Sequence, residues 1–117
     1  MNVHDKAHEL ARALKESDEY KNFRSAYQVL IEDETAKMMV KDFMTKRMEI
    51  EELTFMGKQD KEKEEQSQKL YELIILNTKA SSFINSHMRL MQTMSDIHKI
   101  ISQSFEEIGE MDMFNEA

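Results

Sequence analysis

The sequence contains no cysteine and no proline, and its only two glycines are Gly57 and Gly109. Without cysteine, disulfides, thiolate zinc sites and cysteine-ligated iron–sulfur clusters are all excluded. Proline and glycine favour tight turns, whereas long helices need neither. A long hydrophobic run is also missing. No stretch approaches the roughly 20 apolar residues needed to cross a bilayer, and Met1-Asn2-Val3-His4-Asp5-Lys6 has no apolar secretion segment. A cytoplasmic location without membrane insertion is the resulting expectation. Nor is there a basic cluster: 16 Lys and Arg are dispersed among 23 Asp and Glu, for a net charge of −7. An acidic surface repels phosphates and argues against direct nucleic-acid binding.

What the sequence does contain points to helices. Glu, Lys, Met, Leu, Ala and Gln, all good helix formers, dominate it. Its 117 residues, 40% hydrophobic and 33% charged, fit one soluble domain. The domain is predicted over residues 1–109, with an acidic, frayed tail over 110–117. All-α is the predicted class.

Val3, Ala7, Leu10, Ala11 and Leu14 recur with the period of an amphipathic helix. Ser17 then stands where an N-cap is expected, with Asp18 and Glu19 in the first turn of a second helix. Tyr20, Phe23, Tyr27, Leu30 and Ile31 form its apolar side. Asp33 is the next expected cap, opening a long helix through Met39, Val40, Phe43, Met44, Met48 and Leu53 that Gly57 ends. The charged run from Asp60 to Lys69 opens a fourth helix. Leu70, Tyr71, Leu73, Ile74, Ile75 and Leu76 give it an end expected to be buried on most sides. The last helix, starting near Ser81 or Ser82, carries Phe83, Ile84, Met88, Met91, Met94, Ile97, Ile101, Phe105 and Ile108 before Gly109. The expected architecture is an antiparallel bundle of about five helices, two of them long.

Length carries the next step. A compact monomer of this size has a radius of gyration near 13 Å and a diameter of roughly 35 Å. At 1.5 Å per residue the last helix is on the order of 40 Å long, and the third about 33 Å. Apolar seams running to the ends of such helices outrun a monomer core. A homodimer or higher homo-oligomer is therefore expected, with Met88, Met91, Met94, Ile97, Ile101 and Phe105 as the seam at the dimer or partner interface.

Candidate chemistry is sparse. His4-Asp5-Lys6-Ala7-His8 has two histidines at the i, i+4 spacing of a zinc-protease helix, with Asp in place of Glu. A metal-dependent hydrolase using His4 and His8 is one alternative function. Against it, the pair sits at the start of the chain with no third ligand implied, as two exposed helix histidines do. His87 and His98, three turns apart, are either a pH-sensitive pair or histidines at a core edge. Eleven methionines are many for this length. Their first reading is gap-filling in a helical core; an adaptable partner-binding face or an apolar ligand slot between the Met-rich helices is the other. Tyr20, Tyr27 and Tyr71 lack basic neighbours for base stacking and read as core. No phosphate loop, nucleophile elbow or paired-carboxylate signature occurs. No catalytic residue, metal or cofactor is assigned.

The stretch Ala7-His8-Glu9-Leu10-Ala11-Arg12-Ala13-Leu14-Lys15-Glu16-Ser17-Asp18-Glu19-Tyr20 resembles the opening of the YlbF/YmcA/YheA family of small helical bacterial proteins. The resemblance continues through Asp33-Glu34-Thr35-Ala36 and Asp42-Phe43 to Asn77, Ile84, Leu90, Met91, Ile97 and Ile100, and is strongest to the YheA-like branch. It implies an antiparallel helical bundle, usually dimeric or higher. YlbF and YmcA are regulatory: with a third protein they influence competence, sporulation, biofilm formation and RNA processing. Cysteines hold iron–sulfur clusters in that complex, so the cluster role does not carry over to this chain. The expected function is a non-enzymatic regulatory or scaffold protein acting through helix-mediated self-association and protein contacts.

Overall fold

The computed structural model describes residues 2–106. Five helices account for nearly all of them: α1 Val3–Glu16, α2 Asp18–Ile31, α3 Glu34–Phe55, α4 Lys61–Ile74 and α5 Thr78–Gln103. The predicted tail over 110–117, together with Ile108 and Gly109, lies outside the described residues.

Each helix starts on a side-chain cap that satisfies amide groups with no partner inside the helix. Asn2 accepts from the N–H groups of His4 and Asp5, Ser17 from Tyr20, Asp33 from Ala36, Asp60 from Lys63 and Asn77 from Ala80. The last of these moves the start of α5 ahead of the expected Ser81 or Ser82. Asn77 takes the cap, and both serines fall within the first turns. Gly57 ends α3 as expected. With φ of 73° it sits in the left-handed region, and the N–H groups of Gly57 and Lys58 bond back to Thr54 and Leu53 at 3.0 and 2.8 Å. At the far end α5 stops at Gln103, short of Gly109. Ser104 bonds to the Ile101 carbonyl through both its N–H and its hydroxyl, and Phe105 lies in the following turn.

The helices form two antiparallel pairs. In one, Phe23 of α2 packs on Phe83 and His87 of α5, with ring centroids 5.3 and 5.8 Å apart, and Tyr27 lies against Phe83. In the other, Phe43 of α3 meets Tyr71 of α4 at 5.8 Å, and Lys63 bonds Glu49 at 2.9 Å near the far end of the hairpin. The pairs join where α2 ends, α3 begins, α4 ends and α5 begins. There Leu30, Ala36, Val40, Ile74, Ala80, Phe83 and Ile84 are buried together, edged by Phe23, Ala26, Met39, Phe43 and Met44. Burying an aliphatic or phenyl side chain contributes roughly 1.5–3 kcal/mol, so this small knot of residues holds both pairs together.

The shape is flat. The chain measures 48 × 38 × 16 Å with a radius of gyration of 17.9 Å, well above the compact expectation. Its thinnest dimension, 16 Å, is a third of its longest. So thin a shape leaves broad faces in water, where domains ordinarily bury theirs between packed layers. The apolar run at the end of α4 shows the consequence. Only Ile74 is buried, while Leu73, Ile75 and Leu76 are exposed, because α4 meets its neighbours on one side only.

Candidate interaction surface

Exposed apolar groups occur on every helix, and they form a continuous run along the second half of α5. Leu90 is the last buried residue of α5, lying where α2 begins at Asp18. Beyond it Met91, Met94, Ile100, Ile101 and Phe105 are all exposed, and Ile97 is half-buried. At about 100° per residue, Met94, Ile97 and Ile101 stay within about 40° of the Leu90 direction. They continue the buried side of α5 into open solvent.

The predicted seam is partly redrawn. Met91 stands on the flank of that stripe. Met88 is exposed and about 160° around the axis from Leu90, so it belongs to the opposite side of the helix. Stepping by three residues from Met88 to Met91 to Met94 turns the direction by about 60° each time. Ile97 and Ile101 share the stripe, and Phe105 follows it in the terminal turn.

The methionines depart from the gap-filling reading. Met39 and Met44 edge the core, and Met39 sulfur lies 3.7 Å from Asn77 Nδ2. Met38, Met48, Met88, Met91 and Met94 are exposed instead. At the hairpin tip Met48, Glu51, Glu52, Phe55 and Met56 enclose a shallow hollow of about 570 Å³. Phe55 is 88% exposed there, a bare apolar knob ringed by acids. The hollow lies on α3 alone, away from α5, so among the described residues it is no slot between the two Met-rich helices.

α1 buries no residue. Val3 and Leu10 are exposed and Leu14 is half-buried near the junction with α2. The connection is one residue long. Ser17 receives φ −70° and ψ 153°, which breaks the helical path between α1 and α2. Its hydroxyl donates to the Leu14 carbonyl at 2.6 Å and accepts from the Tyr20 N–H at 3.2 Å, so one side chain closes α1 and opens α2.

The candidate histidines are separated by environment. His4 and His8 are exposed on α1, and no group of three metal-ligating side chains occurs among the described residues. His87 is half-buried, stacked 6.0 Å from Phe83 and held against Phe23. His98 is exposed, three helical turns further along α5. On the other side of the α2–α5 pair, Asp18, Glu19, Asn22, Ser82, Asn85 and Arg89 line an open polar groove of about 540 Å³. Of the three tyrosines, Tyr27 and Tyr71 pack an aromatic face on Phe83 and Phe43 while remaining partly in solvent.

Comparison with known proteins agrees with this architecture. The family model described as control of competence regulator ComK, YlbF/YmcA, matches residues 3–106. The chain belongs to the YlbF/YmcA family. A UPF0342 protein of Caldicellulosiruptor saccharolyticus is 40% identical over 111 residues, covering 94% of this chain and 92% of that protein. A UPF0342 protein of Alkalihalophilus pseudofirmus is 36% identical over 108 residues, covering 92% of each. Among solved structures, a protein of unknown function (DUF964) from Bacillus stearothermophilus shares the fold with a TM-score of 0.75 at 23% identity, covering 93% of this chain and 96% of that one. Bacillus subtilis RicA, solved in complex with RicF, superposes with a TM-score of 0.58 at 22% identity over 90% of this chain and 94% of the matched one. No helix among the described residues is long and apolar enough to cross a membrane.

Proposed function

We propose that this YlbF/YmcA-family chain is a non-enzymatic regulatory adaptor that works by self-association and by helix-face contacts with a protein partner. The observation that carries the proposal is the apolar stripe of Met94, Ile97 and Ile101, which extends the buried side of α5 past the last helix that covers it. Contiguous exposed apolar surface of this kind marks protein contact sites. The family description, control of a competence regulator, and the RicA–RicF complex of a structural neighbour support a regulatory role exercised through protein contacts. The field of action proposed is the control of competence, sporulation, biofilm formation or RNA processing, as the resemblance implies.

The exposed surface supports a homodimer as the working form. The chain exposes 9550 Å², about 2,900 Å² more than a compact monomer of its mass. A standard interface needs about 800 Å² from each partner. Light scattering behind size exclusion tests the reading. The wild type is expected near twice 13.9 kDa, and M94E/I97E near 13.9 kDa with unchanged helical circular dichroism. A folded double variant that keeps the wild-type mass removes the α5 stripe from the interface.

A further inference from the structure

Resting on that reading, we infer that the occupant of the bare half of α5 is α1 of a second copy of the chain, exchanged reciprocally between the two protomers. Among the apolar surfaces this molecule leaves exposed, the stripes of α1 and of the second half of α5 match in length. α1 has 14 residues and spans about 21 Å. The uncovered part of α5, residues 91–103, spans about 20 Å. Both stripes are free of charge. Val3, Ala7, Leu10 and Leu14 fall within about 40° of one direction on α1, while Asp5, Glu9, Arg12 and Glu16 turn to the other side. On α5, Asp96 and Lys99 turn away from Met94, Ile97 and Ile101 in the same manner.

The elbow at Ser17 explains why the match is made between chains. α2 already occupies the first half of α5, and α1 follows it after a single residue. A helix continuing straight from α2 would run alongside the second half of α5. The extended ψ of Ser17 turns α1 off that line, and the Ser17 hydroxyl locks the turn through Leu14 and Tyr20. α1 therefore meets the rest of its own chain chiefly at α2. Around a two-fold axis each α1 reaches the other protomer's α5, so one symmetric contact covers all four bare stripes.

The absence of native cysteine gives a clean test by site-specific cross-linking. Leu10 and Ile97 are the midpoints of the two stripes, so they oppose each other whether the helices run parallel or antiparallel. L10C chains carrying a mass tag are mixed with untagged I97C chains, allowed to exchange subunits, and treated with a short bismaleimide. The expected product is a covalent pair containing one chain of each kind, and L10C/I97C chains are expected to link into double-mass species. Self-linking of I97C without L10C–I97C pairs would replace the exchange by direct α5–α5 packing. Linkage of L10C/I97C chains at single mass would show α1 folding back onto its own α5. Either result overturns the exchange while leaving a dimer seen by light scattering intact. A monomeric wild type would instead remove self-association itself.

Discussion

Asp33 tethers two helices at once. Its carboxylate accepts from the Ala36 N–H at 3.0 Å to cap α3, and its second oxygen lies 3.5 Å from Lys79 Nζ in the first turn of α5. The Ala36 hydrogen bond, aided by the Lys79 charge, holds the carboxyl below its ordinary value of 3.8. A carboxyl depressed by folding contributes stability above its unfolded pKa and loses it as pH falls through the folded value. The expected result is a urea midpoint that falls as pH drops below 3.8. In D33N, which keeps the capping oxygen, this part of the fall is absent, so the two proteins converge in stability in acid. Parallel acid slopes for both would detach Asp33 from the effect.

The Lys63–Glu49 pair makes the corresponding prediction for the α3–α4 hairpin, with two limbs. The hydrogen bond from Lys63 holds Glu49 below 4.5, and the same bond raises Lys63 above 10.5. The glutamate's contribution is lost as pH falls below 4.5, and the lysine's, present below 10.5, as pH rises through the raised value. E49Q is expected to flatten both limbs relative to wild type. Both groups stand at the surface, so the contribution is small and shrinks in high salt, which the same titration in 1 M sodium chloride checks.

The single knot of core residues predicts an uneven response to truncation. Ile74 is 1% exposed and contacts the junction of both helix pairs, so Ile74→Ala is expected to cost about 2–5 kcal/mol in chemical denaturation. Phe55→Ser, although it removes a larger apolar group, is expected to stay within about 0.5 kcal/mol of wild type, because Phe55 stands in solvent at the hairpin tip. Comparable losses at both positions would mean that the tip is packed in solution.

These contrasts mark what can be read from residues in order and what needs the assembled helices. Helix boundaries with a local chemical cause are legible: Ser17 and Asp33 as caps and Gly57 as a stop act through atoms within a few residues. Where two signals compete locally, the reading slips by a turn, as it does between Asn77 and Ser81. Burial is less legible, because a periodic stripe says which side of a helix is apolar and nothing about whether another helix arrives. Leu73, Ile75 and Leu76, and with them Met38, Met48, Met88, Met91 and Met94, look like core in the sequence and are left exposed by so thin a molecule. The apolar stripe on the second half of α5 is legible as periodicity at Met94, Ile97 and Ile101. Met88 is not part of it, since a sequence of three-residue steps drifts around the helix.

Asn77 opens α5 where the two helix pairs join, which makes its cap more consequential than one at a free end. Its side-chain oxygen satisfies the Ala80 N–H at 3.0 Å, while Ala80 itself is fully buried. Asn77→Ala is expected to cost about 1 kcal/mol, from the lost cap, and Asn77→Asp or Asn77→Ser far less, since both retain a capping oxygen. Thermal unfolding of the three variants separates a cap from a packing role: equal losses in all three would point to packing against Met39.

At the opposite end of the molecule, Gly57 allows a prediction in which space and backbone geometry oppose each other. A methyl group at this position meets nothing within 4 Å, so sterically the substitution to alanine is free. The backbone, however, holds φ at 73°, where an L-residue with a Cβ is disfavoured by about 1–2 kcal/mol. Gly57→Ala is therefore expected to destabilise by about 1 kcal/mol, and Gly57→Asn by less, since asparagine enters this conformation more readily. Hydrogen exchange localises the effect. The amide of Lys58, which closes the turn onto Leu53, is expected to lose protection in the alanine variant before the amides around Ile74 do. Uniform loss across the chain would mean that the turn unfolds only with the core.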